Sequence, residues 1–252
     1  MDDFHDRSVL VTGSSRGIGA AIAVAFGRAG ARVALHGRDS AALASVRERI
    51  EGAGGKAYAA TADLTDESAV EALRDEVEAA LGPVDVLVAN AGGSPVRPAP
   101  IEEIAADDWR SSLDANLTSA FLTVKAFLPG MKQRGRGTII TMSSAAARRA
   151  HPGSPVAYAA AKAGLELLTQ DLAAQAGPYG IRVNCIAPET ILTERNRRQI
   201  PPDLQESLAE SHPIRRLGTP EDVAAAALFL ASGAAGWISG VVLDVAGGNV
   251  LV

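Results

Sequence analysis

Cysteine, aromatic residues and excess charge of one sign are all scarce in this chain. Its 252 residues include one cysteine, Cys185, and only 4% are aromatic. A single cysteine excludes an internal disulfide, which suits a reducing compartment, and its apolar neighbours predict a core position. The net charge of −5 supplies no basic surface, so nucleic acid is not expected as a partner.

Long apolar runs and metal-ligand patterns are missing as well. No uninterrupted apolar stretch approaches the roughly 20 residues that span a bilayer, and the acidic start at 1–7 lacks a signal-peptide pattern. We therefore expect a cytoplasmic protein with no membrane contact. The histidines, His5, His36, His151 and His212, lie far apart without ligand-like spacing, so no metal site is predicted.

Small aliphatic residues are abundant instead, in short apolar runs that alternate with longer helical patterns. Hydrophobic residues make up 47% of the chain. The alternation predicts one α/β domain over 1–252, a Rossmann-like, doubly wound parallel sheet of about seven strands with helices on both faces. The predicted strands are 8–12, 32–36, 56–62, 84–89, 138–142, 181–186 and 241–245, and the predicted helices are 18–29, 40–52, 67–81, 107–134, 156–176 and 221–230.

The interval 193–217 departs from this alternation, with polar clusters and several prolines. Such an interruption in a compact domain is more often a lid than a domain boundary. We interpret residues 193–217 as a substrate lid. Proline removes a backbone donor, so Pro129 is a candidate site for a bend in the helix at 107–134.

A glycine-rich turn, TGSSRGIG at 12–19, follows the first predicted strand. Glycines let the backbone turn tightly and approach a ligand, and the helix that starts there directs free N–H groups at an anion. The strand–loop–helix context favours a pyrophosphate site over an ordinary turn. The glycine spacing differs from the G-x-G-x-x-G dinucleotide fingerprint.

Tyr158 and Lys162 lie four positions apart in a predicted helix, so their side chains share one face. An ammonium beside a phenol favours the phenolate and lowers the phenol pKa from its usual value of about 10. This would make Tyr158 a usable general acid or base. By itself the pair more often means a half-buried ring and a solvated charge.

Together these motifs resemble those of short-chain dehydrogenases/reductases, and the resemblance covers residues 8–248. It rests on seven motifs in the order typical of that family. These are TGSSRGIG at 12–19, ADL at 62–64, NAG at 90–92, LDANL at 113–117, the serine pair at 143–144, YAAAK at 158–162 and VNCIAP at 183–188, with LDVAGG at 243–248 as a further match.

The resemblance implies a catalytic tetrad. Tyr158 would be the acid/base and Lys162 its ribose-binding neighbour, while Ser144 would bond the substrate oxygen. Asn116 would anchor a water in a proton relay. The loop between Ser144 and Tyr158 is one residue longer than in many members, so Ser143 stays open as the alternative to Ser144.

Charge at the end of the second strand predicts the cofactor. NAD-binding sites need a carboxylate there, whereas a 2′-phosphate needs cations. Gly37 occupies the acid's place, with Arg38 beside it and Arg16 within reach, which favours NADP(H). Asp39 is a carboxylate near this place and therefore favours NAD, unless it caps the following helix and faces away from the cofactor. The implied cofactor-binding residues are Gly13, Ser15, Arg16, Gly17, Ile18, Gly19, Arg38, Asp63, Leu64, Asn90, Ala91, Gly92, Tyr158, Lys162, Pro188, Ile191 and Thr193.

Glu189 stands where most members of the family have glycine. Its carboxylate could shape the pocket, pair with an arginine or point to solvent. Solvent is the default expectation for a lone glutamate.

The resemblance implies an NADP(H)-dependent oxidoreductase acting on a small-molecule ketone or secondary alcohol, with a 3-oxoacyl thioester of an acyl carrier or coenzyme A as first candidate. Sugars, steroids and small ketones are alternatives. A non-catalytic dinucleotide sensor and a transferase binding another nucleotide are less favoured, because neither needs the tetrad. The family also implies a homotetramer, formed through the helices at 107–134 and 156–176 and through the C-terminal strand and helix.

Overall fold

A parallel β-sheet organises the structure, a computed structural model that describes residues 4–94, 96–150 and 153–250. Its strand order within those ranges is β3-β2-β1-β4-β5-β6-β7. The predicted Rossmann-like fold is therefore confirmed. The strands are β1 Ser8–Val11, β2 Arg32–His36, β3 Lys56–Ala60, β4 Val86–Ala89, β5 Gly137–Met142, β6 Ile181–Pro188 and β7 Val242–Val245.

Helices connect these strands and cover both faces of the sheet, as the alternation predicts. Most of their ends agree with the sequence pattern to within one or two residues. The helices are α1 Gly17–Arg28, α2 Ser40–Glu51, α3 Glu67–Leu81, α4 Ala106–Leu113, α5 Ser119–Arg134, α6 Ala145–Arg148, α7 Val156–Ala176, α8 Glu194–Gln199, α9 Pro202–Ser211 and α10 Pro220–Ala231.

The core consists of two apolar layers separated by the sheet. Successive strand residues point to opposite faces, so Val9 and Val11 of β1 join one layer and Leu10 joins the other. The first layer contains residues of α1, α2 and α10, and the second contains residues of α3 and α5. Cys185 is fully buried in β6, which confirms its predicted core position.

The carboxyl ends of the parallel strands meet along one edge of the sheet. β1 pairs with β2 on one side and with β4 on the other, so the direction of chain progression reverses at β1. Ligands of doubly wound sheets bind in the crevice outside such a reversal. The glycine-rich turn after β1 lies at this place.

Two segments differ from the sequence-based prediction. The helix predicted at 107–134 is interrupted by a π-helical turn, Asp114–Thr118, whereas α5 continues through Pro129. The interval 193–217, predicted only as irregular, contains the short helices α8 and α9. A single π turn leaves no signature in apolar periodicity, which explains the first difference.

Two negative findings apply to residues 4–94, 96–150 and 153–250. No helix there is long and apolar enough to cross a membrane. The same residues contain no group of three or more His, Cys, Asp or Glu side chains placed to hold a metal ion.

Candidate active site

The turn after β1 is held tightly against the end of β4. Asn90 Nδ2 donates to the carbonyls of Thr12, at 2.9 Å, and Gly13, at 3.2 Å. Gly13 has a φ of 64°, and a Cβ there would lie 2.8 Å from Ala91 Cα. Only glycine combines this conformation with this closeness, so the turn presents bare backbone.

The remaining predicted residues of the turn, Ser15, Arg16, Gly17, Ile18 and Gly19, lead into and begin α1. The first N–H groups of a helix have no intrahelical acceptor and form an anion site. Thr193 lies close to this end of α1: a Cβ placed on Gly17 would be 3.3 Å from Thr193 Cγ2. Residues from both sides of the crevice therefore meet at the helix terminus.

Charges after β2 are arranged differently from the prediction. Asp39 caps α2, accepting from Ala42 N at 3.0 Å with Oδ1. Its Oδ2, however, lies 2.5 Å from Arg16 Nη2. The expectation that a capping Asp39 faces away from the arginines is therefore wrong, since the two oxygens of one carboxylate serve both partners. Arg38 is exposed beside this pair.

His36 was not predicted to contribute to the site, yet it supports the turn. Its Nε2 lies 3.1 Å from the Ala62 carbonyl, and its Nδ1 accepts from Gly13 N at 3.4 Å. Burial is the main cause that lowers the pKa of this imidazole. A neutral ring satisfies both contacts, because Nε2 then donates and Nδ1 accepts.

Asp63 and Leu64 follow β3 at the same edge. Asp63 Oδ1 accepts from the backbone and hydroxyl of Thr65, at 2.9 and 2.7 Å. These hydrogen bonds lower the pKa of the Asp63 carboxyl. Leu64 is buried and provides an apolar surface beside the exposed carboxylate.

Gly92 brings three predicted groups together after β4. A Cβ on Gly92 would lie 2.6 Å from Asn116 Oδ1 and 3.3 Å from Lys162 Nζ. A side chain at this position would therefore fill the space between the amide and the ammonium. Glycine keeps that space open.

Asn116 lies in the π-helical turn and is fully buried. Its Oδ1 accepts from Gly93 N at 2.9 Å, while Nδ2 donates to the carbonyls of Gly93, at 2.8 Å, and Ser112, at 2.9 Å. The wider π turn thus aims this amide at the segment after β4. π turns inside helices are frequent at functional sites.

Lys162 is buried on α7, and its Nζ donates to the Met142 carbonyl at 2.7 Å. Removal from water disfavours the ammonium and lowers its pKa to about 8. Nζ lies 5.6 Å from the centroid of the Tyr158 ring. The pair shares one helix face, as the spacing of four predicts.

The pKa of Tyr158 differs from the simple expectation. Burial raises the pKa of the phenol, and the hydrogen bond with Ser144 opposes that rise. The predicted lowering by the Lys162 ammonium is not seen, because Nζ is directed at the Met142 carbonyl and desolvation dominates.

The two candidate serines have different surroundings. Ser144 accepts from Ala146 N at 3.2 Å, which makes it the cap of α6, and it also bonds the Tyr158 hydroxyl. Ser143 is buried, and its hydroxyl donates to Glu166 Oε1 at 2.7 Å. Of the two serine hydroxyls, only that of Ser144 forms a hydrogen bond with the Tyr158 phenol.

The segment after β6 completes the edge. Pro188 and Ile191 are buried, and Thr193 Oγ1 caps α8 by accepting from Asn196 N at 3.2 Å. Its hydroxyl hydrogen is still available as a donor. Thr193 can therefore cap α8 and donate a hydrogen bond to a ligand at the same time.

Glu189 does not point freely into solvent, so the default expectation for it is wrong. Its Oε2 lies 3.2 Å from Nε2 of the buried His212, and Oε1 lies 3.9 Å from Arg149 Nη2. It borders a cavity of about 340 Å³ that contains none of the tetrad. His151, noted for its loop between Ser144 and Tyr158, lies outside the described residues.

Sequence reasoning also missed Glu166, which contacts Ser143. The signal was present, because Tyr158, Lys162 and Glu166 recur every four residues and therefore share a helix face. The arrangement as a whole joins bare backbone at a helix terminus, a buried ammonium and a phenol paired with a hydroxyl. Such a set can hold a phosphate-bearing ligand and exchange a proton with an oxygen beside it.

Known proteins are similar to this chain over most of its length. A family model described as enoyl-(acyl carrier protein) reductase matches residues 13–249. The 7alpha-hydroxysteroid dehydrogenase of Escherichia coli K12 is 38% identical over 244 residues, which cover 97% of this chain and 94% of that protein.

Solved structures are similar over nearly the whole chain. A 3-oxoacyl-[acyl-carrier protein] reductase of Brucella melitensis with bound NAD has a TM-score of 0.90 and 38% identity, covering 98% of this chain and 92% of that one. A gluconate 5-dehydrogenase of Burkholderia cenocepacia in complex with NADP and tartrate has a TM-score of 0.90 and 34% identity, covering 98% and 96%. These similar proteins differ in substrate and in nicotinamide cofactor.

Proposed function

The chain belongs to the short-chain dehydrogenase/reductase family, and we propose that it interconverts a ketone and a secondary alcohol with NADP(H). The observation that carries this proposal is the hydrogen bond between the Ser144 and Tyr158 hydroxyls beside the buried Lys162 ammonium. A phenol and a hydroxyl directed at one point can bind and protonate a carbonyl oxygen.

The residues present fit a nicotinamide dinucleotide. The turn at 12–19 and the start of α1 would hold the pyrophosphate, and Lys162 with Tyr158 would hold the nicotinamide ribose. Asp63 and Leu64 would contact the adenine, while Asn90, Ala91 and Gly92 would line the middle of the cofactor. Pro188, Ile191 and Thr193 would border the nicotinamide end. When bound, NADP(H) supplies or accepts the hydride.

The protein's own part is orientation and proton transfer. Tyr158 would give a proton to the substrate oxygen, and Ser144 would hold that oxygen by a hydrogen bond. Lys162 would supply positive charge where the phenolate forms, which lowers the cost of losing the proton. Asn116 lies near Lys162 across Gly92. It would hold the water through which the proton lost by Tyr158 is replaced.

Preference for NADP(H) is proposed from Arg38 and Arg16. Asp39 neutralises part of this charge, so Arg38 carries most of the expected discrimination. Arg38→Ala should weaken NADPH binding while leaving NADH binding nearly unchanged, and Asp39→Asn should strengthen NADPH binding. Fluorescence titration with both cofactors measures this; tighter binding of NADH by the unaltered protein would contradict it.

The substrate class is proposed more broadly. A 3-oxoacyl thioester is one candidate, and the similar steroid and gluconate dehydrogenases make hydroxysteroids and sugar derivatives equal candidates.

Turnover on a defined panel tests the reaction. Purified protein with NADPH should reduce at least one member of a panel of 3-ketoacyl thioesters, oxosteroids, keto sugars and cyclic ketones. Tyr158→Phe should lose at least about 10²-fold in kcat and still bind NADPH. Binding without turnover by the unaltered protein would instead support the dinucleotide-sensor alternative.

A further inference from the structure

A partly buried cluster of charged side chains is linked to the serine pair at 143–144. Arg148, the last residue of α6, contacts two carboxylates: Nη1 lies 3.1 Å from Glu166 Oε2, and Nε lies 3.1 Å from Asp244 Oδ1. A third contact joins Nη2 to Asp244 Oδ2 at 3.4 Å. The three side chains are 20%, 12% and 19% exposed, respectively.

This cluster joins three separate elements. Glu166 belongs to α7, the helix of Tyr158, and Asp244 belongs to β7 at the edge of the sheet. The other oxygen of Glu166 accepts from the Ser143 hydroxyl at 2.7 Å, and the same hydroxyl oxygen lies 3.3 Å from the Lys162 carbonyl oxygen. α6, α7 and β7 are thus linked through one guanidinium.

The linkage bears directly on Ser144. This residue is the cap of α6, a single turn that ends at Arg148. Four residues of helix have little stability of their own, so the position of the Ser144 hydroxyl depends on what holds the turn. Glu166 holds its start through Ser143 and its end through Arg148.

We propose that Arg148 is a positioning residue, which fixes Ser144 relative to Tyr158 by clamping α6 to Glu166 of α7 and Asp244 of β7. The inference rests on the proposed function for its effect on rate, whereas the clamp itself can be measured without turnover. Without the guanidinium, two partly buried carboxylates would face each other unpaired, and α7 and β7 would separate locally. Arg148 touches no reacting atom in this account.

Substitution of Arg148 tests the proposal. Arg148→Met should lower kcat by about 10²-fold, the loss expected for a small misplacement of a reacting group, while the Kd for NADPH stays close to that of the unaltered protein. Arg148→Lys should be intermediate, because one ammonium cannot form the same forked contacts with two carboxylates. Arg47→Met is the control, since Arg47 forms an exposed pair with Glu51 on α2.

Chemical rescue separates positioning from folding. Guanidinium ion at millimolar concentration should restore part of the kcat of Arg148→Ala and should not raise that of Ser144→Ala. Hydrogen exchange gives a readout without substrate: amides of 143–150 should exchange faster in Arg148→Met, whereas those of 12–19 should not change.

Each outcome decides the proposal. An unchanged kcat, or unchanged exchange at 143–150, would overturn it. Faster exchange throughout the chain with loss of NADPH binding would also overturn it, because Arg148 would then serve stability alone. If the unaltered protein reduces no panel member, the proposed function fails, and exchange at 143–150 alone then decides whether the clamp exists.

Discussion

Lys162 illustrates the conflict between stability and activity at a single residue. Its ammonium is buried and donates a hydrogen bond to the Met142 carbonyl, an acceptor without formal charge. Burial that lowers the pKa of Lys162 to about 8 means that the folded state holds its proton less tightly than the unfolded state. The buried ammonium of Lys162 therefore destabilises the folded state.

Lys162→Met should stabilise the protein while abolishing turnover. The ordinary lysine value of 10.5 and the folded value of about 8 correspond to a gain of up to about 3 kcal/mol at pH 7. The gain should shrink toward about 1 kcal/mol at pH 10, as the unfolded lysine also loses its proton. Urea unfolding at both pH values measures it; a less stable variant at pH 7 would contradict the account.

His36 makes the glycine turn sensitive to acid. The folded-state pKa lies below the usual 6.5 because of burial, so the unfolded chain is protonated first as the pH falls. The contribution of His36 to stability is therefore complete above about pH 6.5 and is lost below it. Protonation would also place an N–H of the ring against the N–H of Gly13.

His36→Gln tests this dependence, because glutamine can donate and accept but does not titrate near neutral pH. Below pH 6.5 the unaltered protein should lose up to about 1.4 kcal/mol of stability per pH unit more than the variant does. NADPH affinity should fall over the same range in the unaltered protein only. Parallel pH profiles for the two proteins would rule out this role.

At the residue scale, the sequence indicates which side chains belong to the site better than it indicates the partners that those side chains contact. Lys162 lies on the same helix face as Tyr158, as the spacing of four predicts. Asn116, which the family resemblance and not periodicity indicates, lies near Lys162 across Gly92. Asp39 and Glu189 were misjudged. Their partners, Arg16 and His212, are 23 positions away in each case, and pairings at that separation follow from tertiary packing alone.

At the scale of elements, α10 depends on its first turn. Thr219 accepts from Asp222 N at 3.3 Å, and the Asp222 carboxylate accepts in return from Thr219 N, at 2.7 Å. Arg216 is the main cause that lowers the pKa of Asp222. The helix packs in the same core layer as α1, which begins at the glycine turn.

Thr219→Ala should destabilise the protein by about 1 kcal/mol through loss of this cap. Because the folded-state pKa of Asp222 is lowered, its contribution to stability is present above the unfolded value near 3.8 and is lost as the pH falls further. Thr61→Ala, at an exposed position outside any helix, is the control in thermal unfolding. Equal unfolding free energies of the two variants would refute a capping role.

The elements also show where periodicity reaches its limit. Long, strongly patterned helices and strands were predicted well, whereas the π turn around Asn116 and the helices α8 and α9 were not. The π turn adds one residue to an otherwise regular pattern, and α8 and α9 are short helices in which no residue is buried. Two of these departures adjoin proposed site residues, because the π turn contains Asn116 and α8 begins directly after Thr193.

At the scale of the whole molecule, two groups of exposed apolar side chains lie on or near the elements that the family resemblance names as tetramer contacts. Phe121 and Leu167 are on α5 and α7, and are 47% and 60% exposed. Phe229, Trp237 and Val241 lie on and after α10, and Trp237 is completely exposed. Apolar groups of this size favour contact with other chains.

We predict a homotetramer built through both groups. Light scattering should give the mass of four chains, and Trp237→Glu and Leu167→Glu should each reduce it to that of two. Ile101→Glu, at a 74% exposed position that belongs to neither group, should leave the mass unchanged. A monomer mass for the unaltered protein would contradict the prediction.

In the proposed reaction, a hydride passes between the nicotinamide and the substrate carbon while Tyr158 transfers a proton to or from the substrate oxygen. Its most direct test follows the hydride itself, using NADPH deuterated at the transferring position and the best ketone of the panel. Mass spectrometry should find one deuterium at the carbinol carbon of the product, formed by the unaltered protein and not by Tyr158→Phe, although both bind NADPH. Product without deuterium, or equal product from the variant, would contradict the account.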